Sequence, residues 1–197
     1  MNARTRRLVA DNERIKSEFT NHPYIKVVPT EGNPPSRYQV TFHLHGLRWD
    51  KRLQRPVETD FFQAEIYLHR DYPRIKPRCV MMTDIFHPNF GSWICIGDYW
   101  AAGETLADVI IQIGQLIQYQ KYNAASPVNT LAARWARDNE HLLPIGTISL
   151  YRPQSPAEIE ADISSVRQHS PSISIDLGDD SEEPAPAIND DLDIKLL

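Results

Sequence analysis

Apolar residues recur along this chain with two periods, and each period predicts an element. Between residues 4 and 20, Leu8, Ile15 and Phe19 return at helical intervals, which predicts an amphipathic helix with one inward face. His22-Pro23 ends it, because the residue before a proline is pushed off helical backbone. Residues 24–29 then read as a first strand, and Gly32-Asn33-Pro34-Pro35 as a turn. Residues 37–47 alternate, with Tyr38, Val40, Phe42 and Leu44 on one face and His43 and His45 on the other, predicting a second strand. Residues 61–68 and 78–83 supply a third and a fourth strand. Strands that follow one another without intervening helices predict an antiparallel meander and an α+β domain.

The period changes again after residue 104. Leu106, Val109, Ile110, Ile113, Leu116 and Ile117 make a wide apolar face over residues 105–119, predicting a central helix against the sheet. Thr105 and Asp108 form a capping-box-like pair at its start. Residues 121–127 read as a loop, and residues 128–138 as a late helix with Leu131, Ala132 and Trp135 inward. Beyond about residue 143 the pattern decays into Pro, Ser and acid. Such a segment has too little apolar surface to offset the entropy of ordering. The expected division is a folded domain over 1–143 and a largely disordered acidic tail over 144–197.

Charge supports that division. The net charge of −5 is uneven: residues 151–197 hold three basic residues against 11 acidic, and the first 150 hold 18 basic against 15 acidic. No stripe of interleaved basic and aromatic residues points to nucleic acid. No run of about 18 apolar residues predicts a membrane span. Arg4, Arg6 and Arg7 precede no apolar core of signal-peptide length, so the expected location is cytoplasmic. The basic residues Arg4, Arg6, Arg7, Arg14 and Lys16 make the first helix either a solvated surface or a docking face. His43 and His45 have the spacing of a metal pair, but no acidic or thiol cluster joins them, so an exposed strand face is expected and no cofactor.

Chemistry concentrates between residues 84 and 100. Two cysteines in 197 residues make no disulfide framework. Cys79, in a strand pattern, reads as a buried core thiol. Cys95 lies in a loop between Gly91 and Gly97, six residues after Asn89 of His87-Pro88-Asn89. Proline fixes one backbone angle and glycine frees others, so this is a shaped loop holding a thiol near an amide. A thiolate is a nucleophile and an amide N–H can stabilise an oxyanion. Asn89 either does this or braces the loop. Asp98, the nearest acid in sequence, either prepares an incoming amine or caps the next turn. His87 is expected to be structural.

These residues resemble the active site of the ubiquitin-conjugating enzyme family, and the resemblance extends over residues 5–140. Asp71-Tyr72-Pro73-Arg74-Ile75-Lys76-Pro77 is similar to the family's Tyr-Pro…Pro turn, and Trp100 with Thr105-Leu106 to its tryptophan and second helix. The gap from Asn89 to Cys95 is shorter than in the common eukaryotic pattern, which suggests a divergent, prokaryotic branch. The resemblance implies a UBC-like fold with the active-site loop between sheet and central helix. It implies a thioester to a ubiquitin-like protein on Cys95, an activating enzyme docking on the first helix, and a target protein supplying an amine. It puts Ser126, with Asn123 upstream, where the family often has an acid, and neither can act as a carboxylate base. Bacterial relatives of this kind sit beside activating enzymes and deconjugating metalloproteases, some in antiviral defence.

Two other readings stand beside it. One is an inactive binding module, which usually lacks the cysteine. The other is a cysteine hydrolase, which needs a histidine base near Cys95 from among His43, His45, His69 and His141. In the tail, Ile173, Ile175 and Leu177 alternate ahead of an acidic run; they are either a chance apolar patch in a solvated acidic tail or, as they resemble, a short motif that adds as a strand to ubiquitin-like proteins.

Overall fold

Tyr38, Val40 and Phe42 all point inward and are fully buried, and the sheet is built outward from that stripe. The structure is a computed structural model describing residues 1–97, 100, 101 and 103–152. Helix α1 (Ala3–Phe19) leads into β1 (Ile25–Gly32) and β2 (Pro35–Phe42). A two-stranded hairpin follows, β3 (Gly46–Asp50) with β4 (Arg55–Thr59). Then come β5 (Phe62–Tyr67), β6 (Arg78–Met81), α2 (Leu106–Ile117) and α3 (Thr130–Asp138). The main sheet is antiparallel in the order β1-β2-β5-β6, with Val40 opposite Val27 on one side and Ala64 on the other. The expected α+β architecture is therefore present: an N-terminal helix, four antiparallel strands, then a central and a late helix.

Sequence placed residues 37–47 in one strand, but the strand ends at Phe42. Leu44 stays buried, and the chain turns to start β3 at Gly46. Only glycine fits there: a Cβ would lie 2.8 Å from the Ile117 carbonyl oxygen and 3.0 Å from the Phe62 ring. Helix α2 lies in the core through Leu106, Ile110, Ile113 and Ile117, none of them exposed. Each such side chain contributes roughly 1.5–3 kcal/mol of burial. Thr105 and Asp108 form the expected capping box. In α3 the inward residues are Ala132, Ala133 and Ala136, whereas Leu131 is 54% exposed, contrary to the sequence expectation. Small side chains let this helix approach closely, and Trp135 contacts Phe86 at a ring separation of 5.8 Å.

A buried carboxylate joins three separate parts of the chain. Asp11 on α1 is 3% exposed. Its Oδ2 accepts from the Tyr72 hydroxyl at 2.6 Å and Arg7 Nε at 2.8 Å, and its Oδ1 accepts from the Leu106 backbone N–H at 3.2 Å. Arg7 also donates to Tyr72 and to the Glu104 carbonyl. Arg4 donates to the Leu68 and His69 carbonyls at 2.9 and 3.3 Å. Two of the five basic residues on α1 are thus structural ties.

Packing continues beyond the boundary expected at residue 143. Gly146 N donates to the Gln118 carbonyl at 2.9 Å, and Gln120 Nε2 to the Ile148 carbonyl at 3.0 Å. Leu150 is 1% exposed and seated against Gly114 of α2. Backbone hydrogen bonds to glutamine side chains hold this segment, so it shows no apolar period. The tail motif at Ile173, Ile175 and Leu177 lies outside the described residues. No described helix is long and apolar enough to cross a membrane.

Candidate active site

The His87-Pro88-Asn89 stretch of the loop after β6 is fixed by its first two residues. His87 is fully buried, its ring packed on Phe90 at 5.0 Å and Tyr119 at 4.3 Å. Burial pushes its pKa down to about 3, so the ring is neutral. Nδ1 accepts the Asn89 backbone N–H at 3.1 Å, which puts the ring proton on Nε2, a buried atom without a partner among the described residues. His87 is structural, as the sequence suggested. The Pro88 carbonyl accepts from both Val128 N and Asn129 N at 3.0 Å, tying the loop to the start of α3.

Asn89 and Cys95 are joined through the backbone, since Cys95 N donates to the Asn89 carbonyl at 2.8 Å. Between them Gly91 N donates to the Trp93 carbonyl at 3.1 Å, and Phe90 bridges Ile94. Ile94 N donates to the Cys79 carbonyl at 2.9 Å, hooking this tight turn onto β6. On the far side of Cys95, Gln112 Nε2 of α2 donates to the Ile96 carbonyl at 2.8 Å, and Lys76 Nζ to the Gly97 carbonyl at 2.7 Å. Gly97 has a φ of 100°, a left-handed backbone that glycine adopts without strain. Trp100 Nε1 donates to the Pro73 carbonyl at 2.7 Å, anchoring the outgoing chain.

The Asn89 side chain, 6% exposed, reaches the 121–127 loop. Its Oδ1 accepts Asn123 N at 2.9 Å. Asn123 Oδ1 in turn accepts Ala125 N at 2.9 Å and Ser126 N at 3.1 Å. A backbone N–H needs an acceptor, which fixes the orientation of the Asn89 amide and leaves its NH2 as the second functional end. Among the described residues that NH2 has no hydrogen-bond partner.

Cys95, Asn89 and Ser126 line one groove of about 460 Å³. Three of the four site residues expected from sequence thus meet there, and the fourth, Asp98, lies outside the described residues. Cys95 is partly exposed in that groove. Cys79 is buried, and burial pushes its thiol up to about 12. Sequence reading did not single out Lys76, Trp93 or Lys121, which also line the groove. Trp93, 54% exposed beside two small residues, carried the one available signal: a large aromatic in a glycine-containing loop. Among the described residues the groove has no histidine in its lining. Nor do the described residues contain a group of three or more metal-ligating side chains, and His45 pairs instead with Asp60 at 2.7 Å.

The arrangement presents an accessible thiol, an unpartnered amide NH2 and a rigid backbone frame. Acyl transfer requires a nucleophile and an oxyanion donor, and a cysteine thiol and an amide NH2 are groups of those two kinds. The profile of the family described as "Ubiquitin-conjugating enzyme" matches residues 33–143. The chain is 30% identical over 138 residues to ubiquitin-conjugating enzyme E2 N of Macaca fascicularis, covering 66% of this chain and 82% of that protein. It is 28% identical over 137 residues to the Drosophila melanogaster protein of the same name, covering 67% and 81%. Ubiquitin-conjugating enzyme E2 13 of Saccharomyces cerevisiae is 28% identical over 142 residues, covering 68% and 84%. With more than half of its length matched by the family profile and its cysteine, His-Pro-Asn turn and flanking helices in one frame, this chain belongs to the ubiquitin-conjugating enzyme family.

Proposed function

We propose that this protein carries a ubiquitin-like protein as a thioester on Cys95 and transfers it to an amine on a target protein. In this reading the Cys95 thiolate attacks the thioester presented by an activating enzyme. The acceptor amine later attacks the new thioester, and the Asn89 NH2 stabilises the oxyanion. The observation that carries the reading is the pairing of an accessible Cys95 with an Asn89 whose Oδ1 is committed to Asn123 and whose NH2 is not. Ser126 lines the groove without a charge to hold or deprotonate the amine. The hydrolase reading has less support: the described lining residues include no histidine, and His87 is buried and neutral.

The test is incubation with an activating enzyme, ATP and its ubiquitin-like protein, followed by non-reducing electrophoresis. A thiol-reducible adduct is expected on the wild type, none on Cys95→Ala, and a reduction-resistant oxyester on Cys95→Ser. An adduct that survives Cys95→Ala and disappears in Cys79→Ala would overturn the assignment. Binding of the modifier without any adduct would favour an inactive module.

A further inference from the structure

We propose that the groove beside Cys95 selects acceptor lysines with acidic neighbours in the target, and that Lys76 and Lys121 do the selecting; this rests on the transfer reading above. Among the described residues lining the groove, these two are the only charged ones. Lys76 is held in place, its Nζ bonded to the Gly97 carbonyl at 2.7 Å two residues past Cys95. Lys121 is exposed at the start of the loop that carries Asn123 and Ser126.

An acceptor lysine reaches this groove as an ammonium, because its ordinary pKa is about 10.4. It meets two like charges and, at Ser126, no described carboxylate to offset them. Aspartate or glutamate beside the acceptor supplies an attraction to these two ammonium groups. Trp93, 54% exposed in the same lining, offers an apolar wall to the lysine's methylene stem. Once docked, the two ammonium groups favour the neutral form of a neighbouring amine, which is the nucleophilic form. The amine nitrogen then bonds to the thioester carbonyl carbon, the carbon–sulfur bond breaks, and the amine's proton passes to water. Cys95 leaves as a thiolate, so atoms and charge balance without a further reactant.

Exposed charge pairs are worth little singly, so the expected preference is roughly three- to tenfold in KM at low salt, with kcat little changed. It shrinks as salt screens the pairs. The test uses three synthetic peptides, each with one lysine flanked by glutamate, by serine or by arginine. Each is titrated by NMR into the full-length protein, without any modifier, and then used to discharge the loaded thioester with KM and kcat measured separately. The glutamate peptide should shift the resonances of Lys121 and Trp93 at the lowest concentration and show the lowest KM. Lys121→Glu combined with Lys76→Gln should abolish or invert the order, and Lys121→Arg should restore it. Equal KM values for all three peptides, or an order unchanged in the double variant, would overturn the proposal. So would lysine variants that slow loading and leave peptide discharge unaltered, since the groove would then serve the modifier. If the wild type never forms a thioester, the transfer reading fails instead, and the NMR comparison shows that separately.

Discussion

The side-chain oxygen of Asn89 accepts the backbone N–H of Asn123 at 2.9 Å, joining the loop before Cys95 to the loop before α3. One amide therefore has two separable ends. Asn89→Asp keeps the acceptor and removes the NH2 donor, whereas Asn89→Ala removes both. If the NH2 stabilises an oxyanion, Asn89→Asp should melt near the wild type and discharge its thioester about 100-fold or more slowly. Single-turnover discharge and a thermal melt on the same preparation check this. Normal discharge by folded Asn89→Asp would leave Asn89 as a brace only.

His87 gives stability a defined pH dependence. Its folded pKa of about 3 lies below the ordinary 6.5, because burial disfavours the charged ring. Below pH 6.5 the unfolded chain takes up a proton that the folded chain refuses. Its contribution is thus complete above 6.5 and is lost as pH falls toward 3, at up to about 1.4 kcal/mol per pH unit. His87→Asn keeps an acceptor for the Asn89 N–H and cannot titrate. Denaturant melts between pH 7 and 4 should show a shallower loss in this variant than in the wild type.

Docking on α1 should be tested at Arg6 and Arg14, both exposed. Arg4 and Arg7 are poor probes because they hold the fold together. Changing Arg6 and Arg14 to glutamate should slow loading roughly three- to tenfold at low salt, with the melting temperature unchanged. Asp11→Ala removes the acceptor used by the Tyr72 hydroxyl, Arg7 Nε and the Leu106 N–H, and should cost about 3–5 kcal/mol. Loading at the wild-type rate by the Arg6/Arg14 variant would reject docking through charge on this helix.

The domain is proposed to extend through Leu150. Leu150→Ala should cost about 2–5 kcal/mol, as for other buried leucines. A Cβ on Gly114 would collide with Leu150, so Gly114→Ala should also destabilise. Combined, the two changes should cost less than their sum, because the alanine occupies space the leucine vacates. Additive losses in chemical denaturation would show that residue 150 does not pack on α2 in solution.

Alternation made the core stripe at Tyr38, Val40, Phe42 and Leu44 legible, because a strand that buries one face has no other solution. The α2 face and its Thr105 cap were readable for the same reason: period and cap are local properties. The β3–β4 hairpin was not, because its strands are only five residues each and pair with each other rather than with the main sheet. Leu131 misled because size suggested burial, while α3 packs through alanines. Lys76 and Lys121 could not be assigned to one groove from sequence, since 45 positions separate them and only the fold brings them near Cys95.

The two thiols of this chain keep different time. Cys95 is partly exposed and should react with an alkylating reagent in the native protein, whereas Cys79 is buried on β6 with its thiol pushed up to about 12. Reagent therefore reaches Cys79 only when the sheet opens, and thiolate forms there only then. In a labelling pulse, singly modified molecules count the folded population and doubly modified ones the molecules that opened. The chain thus carries a built-in gauge of its own unfolding, readable by intact mass without any added probe site.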